Sequence, residues 1–157
     1  MSDHAVLSPS GASRWLACTP SARLEMDFPN TSGIAAEEGT LAHELCEVLL
    51  KHHLNPASNL KEYNKKLKAI KANKLYNTEM LGHANDYVAL INDNTHSNSH
   101  VFVETKLDMT NYVEDGFGTA DAVIITDTFL DFWDLKYGKG VPVFAPDNKQ
   151  LMIYAIG

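Results

Sequence analysis

The chain has 157 residues, a length that favours one domain, and its 45% hydrophobic and 21% charged residues are typical of a globular protein. Its formal net charge of −7 argues against a protein that coats nucleic acid through bulk positive charge. Its two cysteines, Cys18 and Cys46, are too few for an iron–sulfur cluster, so no cluster is expected. No apolar run is long enough for a membrane span and no signal peptide is evident, so we expect a cytoplasmic protein.

The predicted elements place helices first and strands second along the chain. One or two short helices are expected between Ser10 and Glu25. From Ile34 the apolar residues recur at helical spacing, and this helix is expected to end near Asn55-Pro56, because proline disfavours the helical conformation of the residue before it. A second helical region is predicted over 60–92, with a break or kink at Gly82.

β-type sequence dominates after a polar loop between Asn92 and His100. The patterns predict three strands, which are Val101 to Leu107, Gly118 to Ile125 and Phe129 to Tyr137. Helical character returns over Pro146 to Ile156. This order predicts one domain over residues 1–157, of the α/β class with its helices and strands in α+β order. The domain is expected to be mainly helical over 1–92, with a strand-strand-strand-helix core over 101–157.

The last two predicted strands bring three charged side chains together. If Asp127 and Thr128 form a two-residue hairpin turn, Asp121 lies directly opposite Asp134. Side chains two residues apart share a face of a strand, so Lys136 points the same way as Asp134. A three- or five-residue loop would shift the register and separate the carboxylates.

Two carboxylates on apolar strands repel each other unless a positive charge lies between them. A divalent cation would supply that charge, and oxygen ligands suit Mg²⁺ or Mn²⁺. The nearby lysine could then activate a water for attack on phosphorus, or stabilise the developing charge. The alternative is that Asp134 and Lys136 form a solvated ion network at the end of a strand.

The ordered motifs resemble the RecB-like branch of the PD-(D/E)XK nuclease superfamily. The chain looks most like a phage- and prophage-encoded subfamily of that branch. The resemblance implies a restriction-endonuclease-like catalytic core, in which helices flank a central mixed β-sheet, with an N-terminal helical region. The matching segments are Leu7-Ser8-Pro9-Ser10, Cys18-Thr19-Pro20, Gly39-Thr40-Leu41-Ala42-His43, Asp121 in a Gly-Thr-Ala-Asp strand, Asp134-Leu135-Lys136 and Gln150-Leu151-Met152-Ile153-Tyr154.

The resemblance also implies roles for individual residues. His43, Asp121, Asp134 and the backbone carbonyl of Leu135 would bind Mg²⁺ or Mn²⁺, and Lys136 would be the catalytic lysine. Gln150 and Tyr154 are four residues apart, so they share a helix face, from which they could orient Lys136 or contact a phosphate. Glu104, on the first strand, is a weaker candidate, because glutamates on strands are usually solvated.

A lysine-rich segment provides a local basic patch in the acidic chain. Residues 61–74 contain six lysines and one glutamate. Lys65 and Lys68 follow one helix face, which suits contact with a phosphate backbone, and Lys139 lies just beyond Lys136. These three lysines are candidate DNA contacts. The alternative is an ordinary solvated helix.

Two functional hypotheses follow. The first is a Mg²⁺- or Mn²⁺-dependent deoxyribonuclease, expected to be a phage-derived exonuclease, which hydrolyses phosphodiester bonds in DNA. The second is a catalytically weak or inactive nuclease-fold protein that inhibits a host defence complex or serves a phage recombination assembly. The net negative charge motivates the second hypothesis, in which the partner is a phage or host protein. Either protein could act as an oligomer.

Overall fold

A computed structural model describes residues 5–28, 33–58, 60–140 and 142–157 of the chain. A short 3-10 turn, Pro9–Gly11, precedes the first helix, and we call it the N-terminal turn. The helices are α1 Ala12–Ala17, α2 Ser21–Met26, α3 Ile34–Leu54, α4 Leu60–Lys71, α5 Thr78–Asp93 and α6 Lys149–Tyr154, and the strands are β1 His100–Asp108, β2 Phe117–Ile125 and β3 Leu130–Trp133.

The long helix α3 begins and ends as predicted. It contains no proline, and its last residue, Leu54, comes directly before Asn55-Pro56. Leu41, Leu45 and Leu50 are almost completely buried along its inner face. This burial anchors α3 against the rest of the core and thereby fixes the position of the residues on its other turns.

The second helical region consists of two helices instead of one helix broken at Gly82. The chain leaves α4 after Lys71 and starts α5 at Thr78, where the Asn77 side chain accepts a hydrogen bond from the Met80 amide at 2.8 Å. Gly82 lies inside α5, so the prediction of a break at this position was wrong, while the alternative of a kink stays a prediction. The asparagine cap, which satisfies an otherwise unpaired amide, decides where the helix starts.

The described strands form an antiparallel sheet in the order β1-β2-β3. The expectation of a mixed sheet was therefore wrong for the part of the chain that the structure describes. The physical reason is the length of the connections, since two short loops join the three strands, and a parallel neighbour requires a longer crossover. The α+β order of the elements is confirmed.

The β2–β3 hairpin has the predicted register. Ala122 pairs with Trp133 and Ile125 pairs with Leu130, and the Thr126 amide donates to the Phe129 carbonyl across the turn at 3.0 Å. β3 is shorter than predicted because its ladder ends at Trp133, so residues 134–137 continue beyond the sheet. Asp134 and Lys136 are thus held by contacts other than strand pairing.

Apolar clusters cover the two faces of the sheet. Ala122 and Ile124 pack with α3 and α5, whereas Val123 and Phe132 pack with Tyr154 of α6. This alternation follows from strand geometry, in which successive side chains point to opposite faces of the sheet. The candidate site lies beside the second cluster, where α6 approaches the end of β3.

No helix in the described ranges combines the length and apolar character that a membrane crossing requires.

Candidate functional site

Six side chains that the sequence singles out line one cavity of about 290 Å³. They come from four parts of the chain, namely α3, β2, the segment after β3, and α6. The hairpin and the packing of helices on both faces of the sheet bring them together. These residues are His43, Asp121, Asp134, Lys136, Gln150 and Tyr154.

Asp121 connects three of these parts through its two carboxylate oxygens. Its Oδ1 lies 3.1 Å from the Nδ1 atom of His43, and its Oδ2 accepts a hydrogen bond of 2.6 Å from the Leu135 amide. The hydrogen bond with Asp121 raises the pKa of His43 above its ordinary value, although burial opposes this. The hydrogen bond from the Leu135 amide aligns the segment from Asp134 to Lys136 beside β2. The predicted role of the Leu135 carbonyl as a ligand stays a prediction.

Asp134 forms a network with Lys136 and Gln150. The Lys136 ammonium lies 2.5 Å from Asp134 Oδ2, while Gln150 Nε2 donates to Asp134 Oδ1 at 2.7 Å. Gln150 Oε1 accepts from Lys136 at 3.1 Å. Burial raises the pKa of Asp134, and the hydrogen bond with Lys136 only partly offsets that. The Asp134 carboxylate is therefore desolvated and held by one amide and one cation.

Tyr154 fixes the amide of Gln150. Gln150 Nε2 also donates to the Tyr154 hydroxyl at 2.9 Å, and that hydroxyl donates to the Thr119 carbonyl at 2.8 Å. Burial raises the pKa of Tyr154 to about 12, so the phenol stays protonated at neutral pH. The prediction that Gln150 orients Lys136 fits this geometry, with Tyr154 acting through Gln150.

Glu104 lies closer to the site than the sequence suggests. It offers a carboxylate oxygen within 4.8 Å of ligand atoms from both His43 and Asp121. Burial raises its pKa, and the negative charges of Asp121 and Glu47 raise it further. Its φ of 53° is unusual for a residue other than glycine and occurs in the middle of β1. No sequence pattern indicates this backbone conformation.

The donor set is compatible with a divalent cation. One imidazole nitrogen and two carboxylate oxygens, from His43, Glu104 and Asp121, are close enough to contact a single ion. The Glu104 and Asp121 charges would repel each other less with a cation between them. The predicted set was His43, Asp121, Asp134 and the Leu135 carbonyl, with Glu104 as a weaker candidate. In the structure Asp134 pairs with Lys136 and Gln150, so its role as a ligand stays a prediction.

None of the three candidate DNA-binding lysines is among the described residues that line this cavity. Lys65 and Lys68 are exposed on α4. Lys139 lines a neighbouring groove, which shares Lys136 with this cavity and also includes Glu38 and Glu79. Their contact with DNA stays a prediction, and a bound strand would have to extend beyond the cavity to reach them.

Sequence reasoning assigned no role to two serines that line the cavity. Ser8 and Ser10 belong to the N-terminal segment and face the same space as Lys136. The Ser8-Pro9-Ser10 motif was visible in the sequence, but only the folded chain brings it to the site.

Comparison with known proteins identifies the family of the chain. No solved structure matches it. A family with the description "Protein of unknown function (DUF2800)" matches residues 4–157, which is nearly the whole chain. The protein therefore belongs to the DUF2800 family.

Proposed function

We propose that this protein is a Mg²⁺- or Mn²⁺-dependent deoxyribonuclease of the RecB-like PD-(D/E)XK type. The observation that carries the proposal is the convergence of Asp121, Asp134 and Lys136 in one cavity with His43. Two carboxylates, an imidazole and an ammonium are the groups that metal-assisted phosphodiester hydrolysis uses. Their order along the chain also matches the resemblance described above.

The residues that would hold the metal ion are His43, Asp121 and Glu104, with Asp134 as a further ligand once substrate is bound. A bound Mg²⁺ or Mn²⁺ would acidify a water and stabilise negative charge on the phosphate. The geometry of the cluster favours this role, because its ligand atoms all lie within 4.8 Å of one another.

Lys136 would orient the attacking water and donate hydrogen bonds to the developing negative charge. Gln150 supports this role, since it accepts from the ammonium and donates to Asp134, so that both catalytic groups are held by one amide. Preorganised donors of this kind account for much of the rate enhancement in phosphoryl transfer. Tyr154 contributes by fixing that amide.

Cleavage of end-labelled linear DNA with Mn²⁺ tests the proposal, with single-stranded, double-stranded and circular substrates assayed in parallel. We expect Asp134→Asn and Lys136→Gln to lower the rate by at least about 100-fold. Asp127→Asn and Lys149→Gln are matched controls. Asp127 is exposed in the hairpin turn, and Lys149 is exposed on α6 next to Gln150. Exonuclease action predicts that circular DNA survives.

A folded wild type that binds Mn²⁺ yet leaves every substrate intact would overturn the nuclease proposal. That result would instead support the second hypothesis, a nuclease-fold protein that binds a partner without cutting DNA. Equal loss of activity in the control variants would show that the assay reports stability and not the site.

A further inference from the structure

The N-terminal turn and Ser8, the residue before it, form one wall of the candidate cavity and present two hydroxyl groups there. Ser8 and Ser10 both line the cavity, which Lys136 also lines. Their Oγ atoms lie 3.2 Å apart. We call these two residues the serine pair. Two hydroxyls at this separation can both contact one oxygen atom of a ligand.

The backbone under the serine pair is held in place from both sides. The Trp15 indole donates to the Ser8 carbonyl at 2.9 Å, and the buried Pro9 packs against β2 at Gly118. A Cβ atom at Gly118 would lie only 2.6 Å from Pro9 Cγ, so glycine is what allows this close approach. The hydroxyls thus extend from a fixed support, which lowers the entropic cost of binding a ligand.

The charges in the cavity show which hydrogen-bond donors of the protein are free to bind a phosphate. Asp121 and Asp134 repel a phosphodiester, so binding depends on hydrogen-bond donors. Among the described lining residues Lys136 is the only lysine or arginine, and it is engaged by Asp134 and Gln150. In the described part of the chain, the serine hydroxyls bond only to each other. They are neutral donors that a phosphate oxygen can engage without breaking an ion pair.

We propose that the serine pair binds a non-bridging oxygen of the DNA phosphate next to the one that is cleaved. This inference rests on the proposed nuclease function and deepens it, since it names a backbone contact that would position the strand. The serine pair is a positioning element, and the bond-breaking chemistry stays with the groups around Lys136. Ser8→Ala with Ser10→Ala should therefore weaken DNA binding more than it changes the maximal rate.

Fluorescence anisotropy with a labelled oligothymidylate in EDTA measures binding without cleavage. We expect the double variant Ser8→Ala, Ser10→Ala to raise Kd about tenfold, the size expected for losing hydrogen bonds to a charged group. Ser13→Ala is the matched control, because Ser13 is an exposed serine on α1. Ser10→Thr keeps the hydroxyl and should retain wild-type affinity. Thermal unfolding of each variant checks that the fold is unchanged.

An oligonucleotide with one uncharged methylphosphonate linkage tests contact with the phosphate itself. Placed in turn at each linkage, the modification should weaken wild-type binding most at one position, and the double variant should not distinguish that position from unmodified DNA. If wild type cuts DNA and the double variant binds like wild type, the serine inference fails while the nuclease proposal stands. If wild type neither binds nor cuts DNA, both fail.

Discussion

Glu104 and Asp121 are the two residues that the β1–β2 pairing leaves out, between the pairs Val103–Ala122 and Thr105–Ala120. The left-handed backbone at Glu104, with φ of 53°, occurs at this cross-strand position. In a regular strand Val103 and Leu107 would point to the same face, because they are four residues apart. They contact different clusters, since Val103 packs with the α3–α5 core and Leu107 packs near Tyr154. The face that β1 presents therefore changes where two carboxylates meet. Such local strain commonly occurs at functional sites.

Replacing Glu104 with glutamine should stabilise the metal-free protein at neutral pH. Burial, Asp121 and Glu47 raise the pKa of Glu104 above its ordinary value of 4.5 in the folded state. The folded state then binds more protons than the unfolded state over the interval between the unfolded-state and folded-state pKa values of Glu104. Stability therefore falls as the pH rises through that interval. Glu104→Gln removes this penalty, and its advantage should vanish below pH 4.5.

Urea unfolding in EDTA, from below pH 4.5 to pH 7, measures the difference in the free energy of unfolding between wild type and Glu104→Gln. Glu114→Gln serves as the control, because Glu114 is exposed and lies outside the site. A Glu104→Gln variant that is less stable than wild type at pH 7 would contradict the prediction.

Mn²⁺ should stabilise the wild-type protein against heat. A ligand at about 100 times its Kd adds about 2.7 kcal/mol, which for a chain of this size raises Tm by about 5–10 °C. Asp121→Asn weakens a central carboxylate ligand, so its Tm should change by less than about 2 °C under the same conditions. Asp127→Asn should respond like wild type, and EDTA should reverse every shift. Equal shifts in all three proteins would place the bound ion elsewhere.

Two glycine-to-alanine substitutions should change stability in opposite directions. At Gly118 an added Cβ would lie 2.6 Å from Pro9 and 2.9 Å from Tyr154, so overpacking should cost about 1–3 kcal/mol. Gly82 lies inside α5 with no atom within 4 Å of an added Cβ, so alanine should stabilise the protein by about 1 kcal/mol. The free energy of unfolding in urea measures both, and effects of equal sign would refute the packing described here.

Tyr154→Phe should destabilise the fold and weaken the proposed activity together. The substitution removes the hydrogen bonds with Gln150 and the Thr119 carbonyl from a buried position, which should cost about 1–3 kcal/mol. Tyr112→Phe is the control, because Tyr112 is exposed and its loss should change stability by less than about 0.5 kcal/mol. If Gln150 positions Lys136, the cleavage defect should appear in kcat more than in KM. A pure KM effect would contradict that role.

The short-range part of the site could be predicted from the sequence. The β2–β3 register follows from the turn at Asp127-Thr128, and Asp134 and Lys136 share a side because side chains alternate along an extended chain. Gln150 and Tyr154 meet because they are four residues apart on a helix. These relationships depend only on local backbone geometry.

The long-range part was decided by tertiary structure. His43 reaches Asp121 across 78 residues only because α3 packs on the sheet in one particular orientation. The strained Glu104 backbone and the N-terminal turn at the cavity likewise depend on close packing. Periodicity in a sequence specifies which face of an element is buried, but it does not specify where along that face the next element lies. The sequence alone therefore determined the order of helices and strands, the β2–β3 register and the motif that contains Asp134 and Lys136, whereas packing decided which of those groups meet.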